Sequence, residues 1–303
     1  MNQRCSRREF LVSSGLLALA AVPPGAALAA ESSEPIIDIH QHTNYHFRTD
    51  EQLLAHQKAM GVTRTILLPA GSLYGLEANC TGNQAVYDFA LNHPGAYAFF
   101  ANEVAGLPGA RSEIERWLKQ GALGIGEQKF KVDCDSPAIE EVADLAQEYR
   151  VPVLLHFQHN AYNLHLERFH KILEKFPKVK FIGHAQTWWS NIDKNSDQKT
   201  MYPTGKITPG GLTDRLLTEY PNMHGDLSAG SGLNALNRDP DFTRGFLERH
   251  QDKLLFGSDC EDSLGTDQGC TGAQIIKTVR LLASNKGIER KLLCENAGKM
   301  FRF

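Results

Sequence analysis

The sequence predicts an α/β protein of the (β/α)8 barrel (TIM barrel) class, and three observations predict it. Behind a leader-like start, the chain of 303 residues keeps about 270, close to the roughly 250 typical of one such barrel. Short runs that are apolar on both faces alternate eight times with amphipathic segments, as strands covered by helices do. Polar residues able to bind metal recur where those apolar runs end, and barrel sites form at that face.

The expected strands span residues 35–40, 63–69, 96–101, 122–127, 151–156, 179–184, 223–227 and 253–259, each bounded by turn or polar residues. The expected helices span 50–60, 82–92, 111–119, 137–149, 166–176, 211–220, 241–250 and 272–283. Pro137 behind Ser136 fits a proline in the first helical turn after an N-cap residue. Phe242, Phe246 and Leu247 recur at helical spacing and form an inward stripe. Strand–helix alternation implies a parallel sheet, and eight units in this length favour closure over an open doubly wound sheet. The open sheet would carry a glycine-rich phosphate loop after its first strand; this chain has His40-Gln41-His42 there. No linker-like shift in composition divides residues 31–303, which are expected to form one domain. The longest irregular stretch, 186–210, follows the sixth strand and is expected to be an active-site loop.

Hydrophobic residues at 42% and charged residues at 22% are ordinary for a globular enzyme. The net charge of −3 and the scattered basic residues give no reason to expect nucleic acid as a partner. Residues 1–30 read as an export signal: Ser6-Arg7-Arg8-Glu9-Phe10-Leu11, then an apolar stretch and small residues, with cleavage expected after Ala29 or Ala30. The paired arginines resemble the twin-arginine signal, a receptor-read address. That resemblance implies the twin-arginine export machinery as a partner and a periplasmic or secreted mature protein. Pro23 and Pro24 interrupt the apolar run short of the ~18–20 residues of a membrane span, so no membrane anchor is expected in the mature form. Removal of Cys5 leaves Cys80, Cys134, Cys260, Cys270 and Cys294, an odd set that is not a disulfide scaffold. No Cys-x-x-Cys occurs, so cysteine-ligated zinc is not expected. Cys260 and Cys270, in one loop, could pair in an oxidising compartment.

The first strand runs into His40-Gln41-His42, and histidines two apart on a strand point to one side and can share an ion. The fifth and sixth strands end in His156 and His184, and the eighth ends Gly257-Ser258-Asp259. One histidine of this kind would be a satisfied core residue; four strands converging on imidazole and carboxylate make a metal site. Gln158, Gln186, Trp188, Trp189, Asp226 and Ser228 follow strands five to seven and are candidates for the pocket lining, with Trp188 and Trp189 either stacking a substrate ring or covering an interface and Asp226 read as a rim residue. His46, His159 and His224 are expected near the mouth, whereas His56, His93, His165, His170 and His250 are expected to be structural.

These motifs, with the ending Cys294-Glu295-Asn296-Ala297-Gly298-Lys299-Met300-Phe301, resemble the amidohydrolase superfamily, and more closely its amidohydrolase-related group of decarboxylases and hydrolases. The resemblance implies His40, His42, His156 and Asp259 as metal ligands, and Asp259 as proton shuttle. It implies that His184 is either a ligand to a second ion or an acid/base near the substrate. Glu127 resembles a strand-four glutamate that bridges two ions, and Lys129 could instead be a carboxylated bridging lysine; the alternative is an ion pair between them at the rim. The cofactor implied is a divalent metal, zinc or else manganese, as one or two ions.

A divalent ion lowers the pKa of bound water from about 15.7 toward about 7 and polarises a carbonyl, while Asp259 takes and returns the proton. The leading expectation is therefore metal-dependent hydrolysis of a small-molecule lactone, ester or amide. The alternatives are a decarboxylase with one ion and a non-catalytic periplasmic ligand- or metal-binding module. A homo-oligomer is compatible with the composition.

Overall fold

The structure, a computed structural model, describes residues 34–71, 79–266 and 269–302. The export signal expected over residues 1–30 lies outside the described residues. In chain order the first half comprises β1 (Ile37–Gln41), α1 (Asp50–Ala59), β2 (Arg64–Leu67), α2 (Asn83–Asn92), β3 (Tyr97–Phe99), α3 (Ala110–Lys119), β4 (Ile125–Gln128) and α4 (Pro137–Tyr149). Next come β5 (Val153–His156), α5 (His170–Lys175), β6 (Phe181–His184), α6 (Gln186–Ser190), α7 (Leu212–Glu219), β7 (Met223–Asp226), α8 (Ala229–Asn237) and α9 (Pro240–Arg249). The chain closes with β8 (Leu254–Leu255), α10 (Thr271–Leu282), α11 (Lys286–Arg290), a π turn over Lys291–Glu295, and α12 (Asn296–Phe301).

Every strand pairing is parallel, in two arcs ordered β1-β2-β3 and β4-β5-β6-β7-β8. Backbone bonds connect the arcs on both sides. Ala101 N–H donates to Gly124 O and Gly126 N–H to Ala101 O, while Ile39 N–H donates to Phe256 O. The fold is the (β/α)8 barrel that the alternation predicts. Its interior is filled by Ile39, Ile66, Leu68, Phe100, Leu154, Ile182 and Leu255, with Ala297 and Phe301 of α12 in the same cluster. A packed interior leaves the strands' C-terminal ends as the place for chemistry.

The expected segments all appear, with instructive differences. The 166–176 helix splits into a 3-10 turn at Leu166–Arg168 followed by α5. The stretch 186–210 begins with α6, which buries Trp188 and Trp189. Unforeseen, α8 is hidden in the sequence by Gly230 and Gly232, poor helix formers. A Cβ at Gly232 would lie 2.0 Å from Leu227 O, so close packing requires glycine there. Ser136 is extended at the N-cap of α4, but its hydroxyl makes no capping bond. Phe246 and Leu247 are buried, with Phe242 against them, as the stripe predicts.

Candidate metal centre

His40 and His42, at the end of β1, meet with their Nε2 atoms 3.2 Å apart. Each ring's other nitrogen is committed. His40 Nδ1 donates to Asp226 Oδ2 at 2.7 Å, and His42 Nδ1 donates to the Leu68 carbonyl at 2.8 Å. A carbonyl can only accept, so Nδ1 of His42 carries a proton and Nε2 is the atom it turns toward His40. Two Nε2 atoms meet this closely with a proton or a cation between them.

His184, at the end of β6, sends its Nε2 into the same space, 3.4 Å from Asp259 Oδ2 and 3.6 Å from Glu127 Oε1. Its Nδ1 lies 3.0 Å from Ser228 Oγ and 3.3 Å from Asp226 Oδ2. Glu127, in β4, places Oε2 3.7 Å from Nε2 of both His40 and His42. Asp259 reaches the site because its backbone turns left-handed (φ 39°), a conformation aspartate tolerates. Its Oδ1, 3.6 Å from His42 Nε2, is buried and accepts no hydrogen bond. Gly257 is needed here: a Cβ would lie 2.5 Å from Asp226 Oδ1 and 2.8 Å from His40 Cβ.

The strand-five histidine stands differently. His156 pairs with His184 in the β5–β6 register, but its Nδ1 lies 2.5 Å from Glu127 Oε1 and its Nε2 3.1 Å from the Gln158 amide. The structure thus brings all six predicted residues together, while setting His184 beside His40 and His42 and tying His156 to Glu127. Three overlapping sets have donor atoms within 4.8 Å of one another: His40, His42 and Glu127; His40, His184 and Asp259; Glu127, His156 and His184.

The electrostatics ask for positive charge. Against burial, which favours the acid, the nearby histidines hold Glu127 and Asp259 well below the usual carboxylate range and Asp226 at about 2. Burial favours neutral imidazole, yet Asp259 and Asp226 hold His40 well above its ordinary value. Cys80 and Asp259 likewise outweigh burial at His42 and push it up to about 10. His156 goes the other way, lowered by burial despite its bond to Glu127. A divalent cation held there would supply positive charge to these carboxylates and take the place of the histidine protons. The orphaned Asp259 oxygen and the converging Nε2 atoms fit such an ion.

Some neighbours depart from expectation. Asp226 is fully buried behind the site, where it accepts from His40 and from Ser228 Oγ at 2.7 Å, rather than standing on the rim. Trp188 and Trp189 are core residues: Trp188 stacks on Phe157, and Trp189 Nε1 donates to Asp226 O at 2.9 Å. Gly183 makes room for Trp188, which a Cβ there would approach to 2.5 Å. His224 is buried at the other end of the strands, where Lys180 and Lys253 are its charged neighbours. Lys129 Nζ lies over the Tyr162 ring, 5.4 Å from its centre, and Glu127 bonds His156 instead. Sequence reading missed Tyr45, Cys80 and Arg48. The Tyr45 ring meets His42 edge-on at 5.1 Å, and Asp259, then burial, pushes its phenol up, so it stays protonated. Arg48 is buried and donates to the carbonyls of Cys260 at 2.7 Å, Asp262 at 3.0 Å and His42 at 3.2 Å, pinning β1 to the segment after β8.

Residues 76–303 match the amidohydrolase family model. The chain belongs to the amidohydrolase family. His40 and His42 precede the matched span, so their place in the centre rests on the geometry above. A search of curated protein sequences finds no match. Among solved structures, this amidohydrolase is similar to an uncharacterised TIM-barrel protein from Bordetella bronchiseptica, at 14% identity and a TM-score of 0.65 over 88% of this chain and 98% of that one. It is also similar to a probable 2-pyrone-4,6-dicarboxylic acid hydrolase from Acinetobacter baumannii, with 15% identity, TM-score 0.59, and 88% and 99% coverage. A third is 5-carboxyvanillate decarboxylase from Sphingomonas paucimobilis, with 16% identity, TM-score 0.55, and 82% coverage of each chain. At such identities the likeness shows the fold, and hydrolases and decarboxylases both carry it.

Proposed function

We propose that this amidohydrolase is a metal-dependent hydrolase of a small carbonyl substrate such as a lactone, ester or amide. The observation that carries the reading is the convergence of His40, His42 and His184 Nε2 on Asp259, whose Oδ1 has no other partner. His40, His42, His184, Asp259 and Glu127 would hold the ion, with His156 joined through Glu127. A divalent ion there, zinc or manganese, supplies Lewis-acid polarisation of a carbonyl and acidifies water. Asp226 fixes the His40 proton on Nδ1 and keeps Nε2 free to ligate. Asp259, on the open side of the cluster, is placed to take a proton from the attacking water and return it to the leaving group. Tyr45, kept protonated beside Asp259, is placed to donate a hydrogen bond to substrate oxygen. Export by the twin-arginine pathway to the periplasm is part of this proposal and rests on residues 6–30 alone.

A second reading, decarboxylation at one ion, is favoured by the bond that ties Glu127 to His156 rather than leaving it to bridge two ions. The deciding experiment offers the metal-loaded protein panels of lactones, esters, amides and aromatic carboxylic acids in 18O-labelled water. Label in the product without carbon dioxide supports hydrolysis; stoichiometric carbon dioxide rejects it.

A further inference from the structure

We propose that His56, Cys260 and Cys270, with the thioether of Met60, form a second metal site for a thiophilic d10 cation, Zn(II) or Cu(I). The site is independent of the hydrolase reading and shares no residue with the barrel-mouth centre. Cys270 Sγ lies 3.5 Å from Cys260 Sγ, 3.2 Å from His56 Nε2 and 3.4 Å from Met60 Sδ. An ion bound at about 2.3 Å by sulfur and about 2.0 Å by nitrogen has tetrahedral donors about 3.5–3.8 Å apart, close to what these atoms already show. The imidazole and both thiols offer donor atoms within 4.8 Å of one another.

The cluster is built rather than incidental. His56 and Met60 lie four residues apart, in α1 and at its C-cap, so they share one helix face. Both cysteines are free thiols, and His56, Cys260 and Cys270 are buried. Cys260 is anchored by its carbonyl, which accepts from Arg48 at 2.7 Å and from Gln41 at 3.0 Å. A Cβ at Gly272 would lie 2.7 Å from Met60 Sδ and 2.6 Å from Ser258 Cβ, so glycine there lets the thioether approach. Thiolate, thioether and imidazole together make a soft donor set. Binding replaces the two thiol protons, which leave to solvent. The ion would tie the residue after Asp259 to α1. Spacing rules miss the site because its cysteines are ten residues apart in sequence and its other donors come from the opposite end of the barrel domain.

The test uses full-length protein under anaerobic conditions, titrated with Zn(II) against a chromogenic chelator and with Cu(I) against a Cu(I) chelator. The wild type is expected to bind one equivalent more of one of these ions than C260A/C270A. The ion that shows the difference identifies the cation. That ion should also protect Cys260 and Cys270 from alkylation in the wild type. Equal stoichiometry overturns the proposal, as does a native protein whose mass is lighter by the two thiol hydrogens, which marks a disulfide. If the double variant does not fold, Met60→Leu and His56→Gln serve instead. Each should weaken binding by more than the roughly tenfold that losing an outer partner costs, and unchanged affinity overturns the site.

Discussion

Replacing Asp226 by asparagine changes one oxygen to nitrogen in a carboxylate that touches no proposed substrate, yet the structure makes it costly. Asp226 Oδ2 accepts from His40 Nδ1 at 2.7 Å and from Ser228 Oγ at 2.7 Å, and lies 3.3 Å from His184 Nδ1. An amide NH2 turned toward His40 would force that ring's proton onto Nε2, the atom that faces His42. The loss of an outer partner costs about 10–100-fold in metal affinity. Because Asp226 supports two rings, the upper end is expected, about 100-fold or about 2.7 kcal/mol. The assay is a competition titration of Asp226→Asn against a chelator, with the ion-dependent rise in melting temperature as a second readout. Ser228→Ala, which keeps the carboxylate, should cost less than about tenfold. A D226N affinity within about twofold of wild type would show that ring orientation is set elsewhere and refute the reasoning.

Asp259→Asn is expected to lower turnover of the hydrolysed substrate by about 100-fold or more, as loss of a general acid–base does; an unchanged kcat removes Asp259 from proton transfer. Gly257→Ala pushes a methyl against Asp226 and His40 and should cost about 1–3 kcal/mol in urea unfolding, so an unshifted midpoint contradicts the packing described. Burial, then Lys180 and Lys253, lowers His224 to about 4. Against about 6.5 when unfolded, its stabilising share is whole above about pH 6.5 and is lost as pH falls toward 4, amounting to about 3 kcal/mol. His224→Asn should flatten that acid loss between about pH 7 and about pH 4.5, and an unchanged acid slope in the variant would place the sensitivity in other groups. Dialysis against a chelator should abolish turnover and a divalent ion restore it; activity surviving complete metal removal is incompatible with the proposed centre.

The barrel was legible because its two periods are written in the sequence: strands apolar on both faces, helices apolar on one. The strand ends were legible too, since one histidine closing an apolar run is an ordinary core residue, whereas four runs closing on imidazole and carboxylate point to a shared site. Legibility failed where tertiary contacts override local preference. Only Leu254–Leu255 of the 253–259 run pairs as strand, because Ser258 N–H and Oγ bond the Asp38 carboxylate in place of a ladder. The tryptophans read as rings for a substrate or an interface because a sequence shows their size and not the void that Gly183 leaves for one of them.

Within the centre, the sequence names donors but not which nitrogen each ring offers. That is fixed by partners distant in the chain: Asp226 lies 186 residues from His40, and Leu68 O lies 26 residues from His42. Once those bonds are drawn, the histidines divide. His40, His42 and His184 turn Nε2 inward with Nδ1 held from behind, whereas His156 spends Nδ1 on Glu127. The same bonds explain why Asp226, read as a rim residue, is fully buried. A carboxylate held at about 2 by His184 and His40 keeps its charge inside the barrel wall, and that charge is what makes the two rings it touches better ligands.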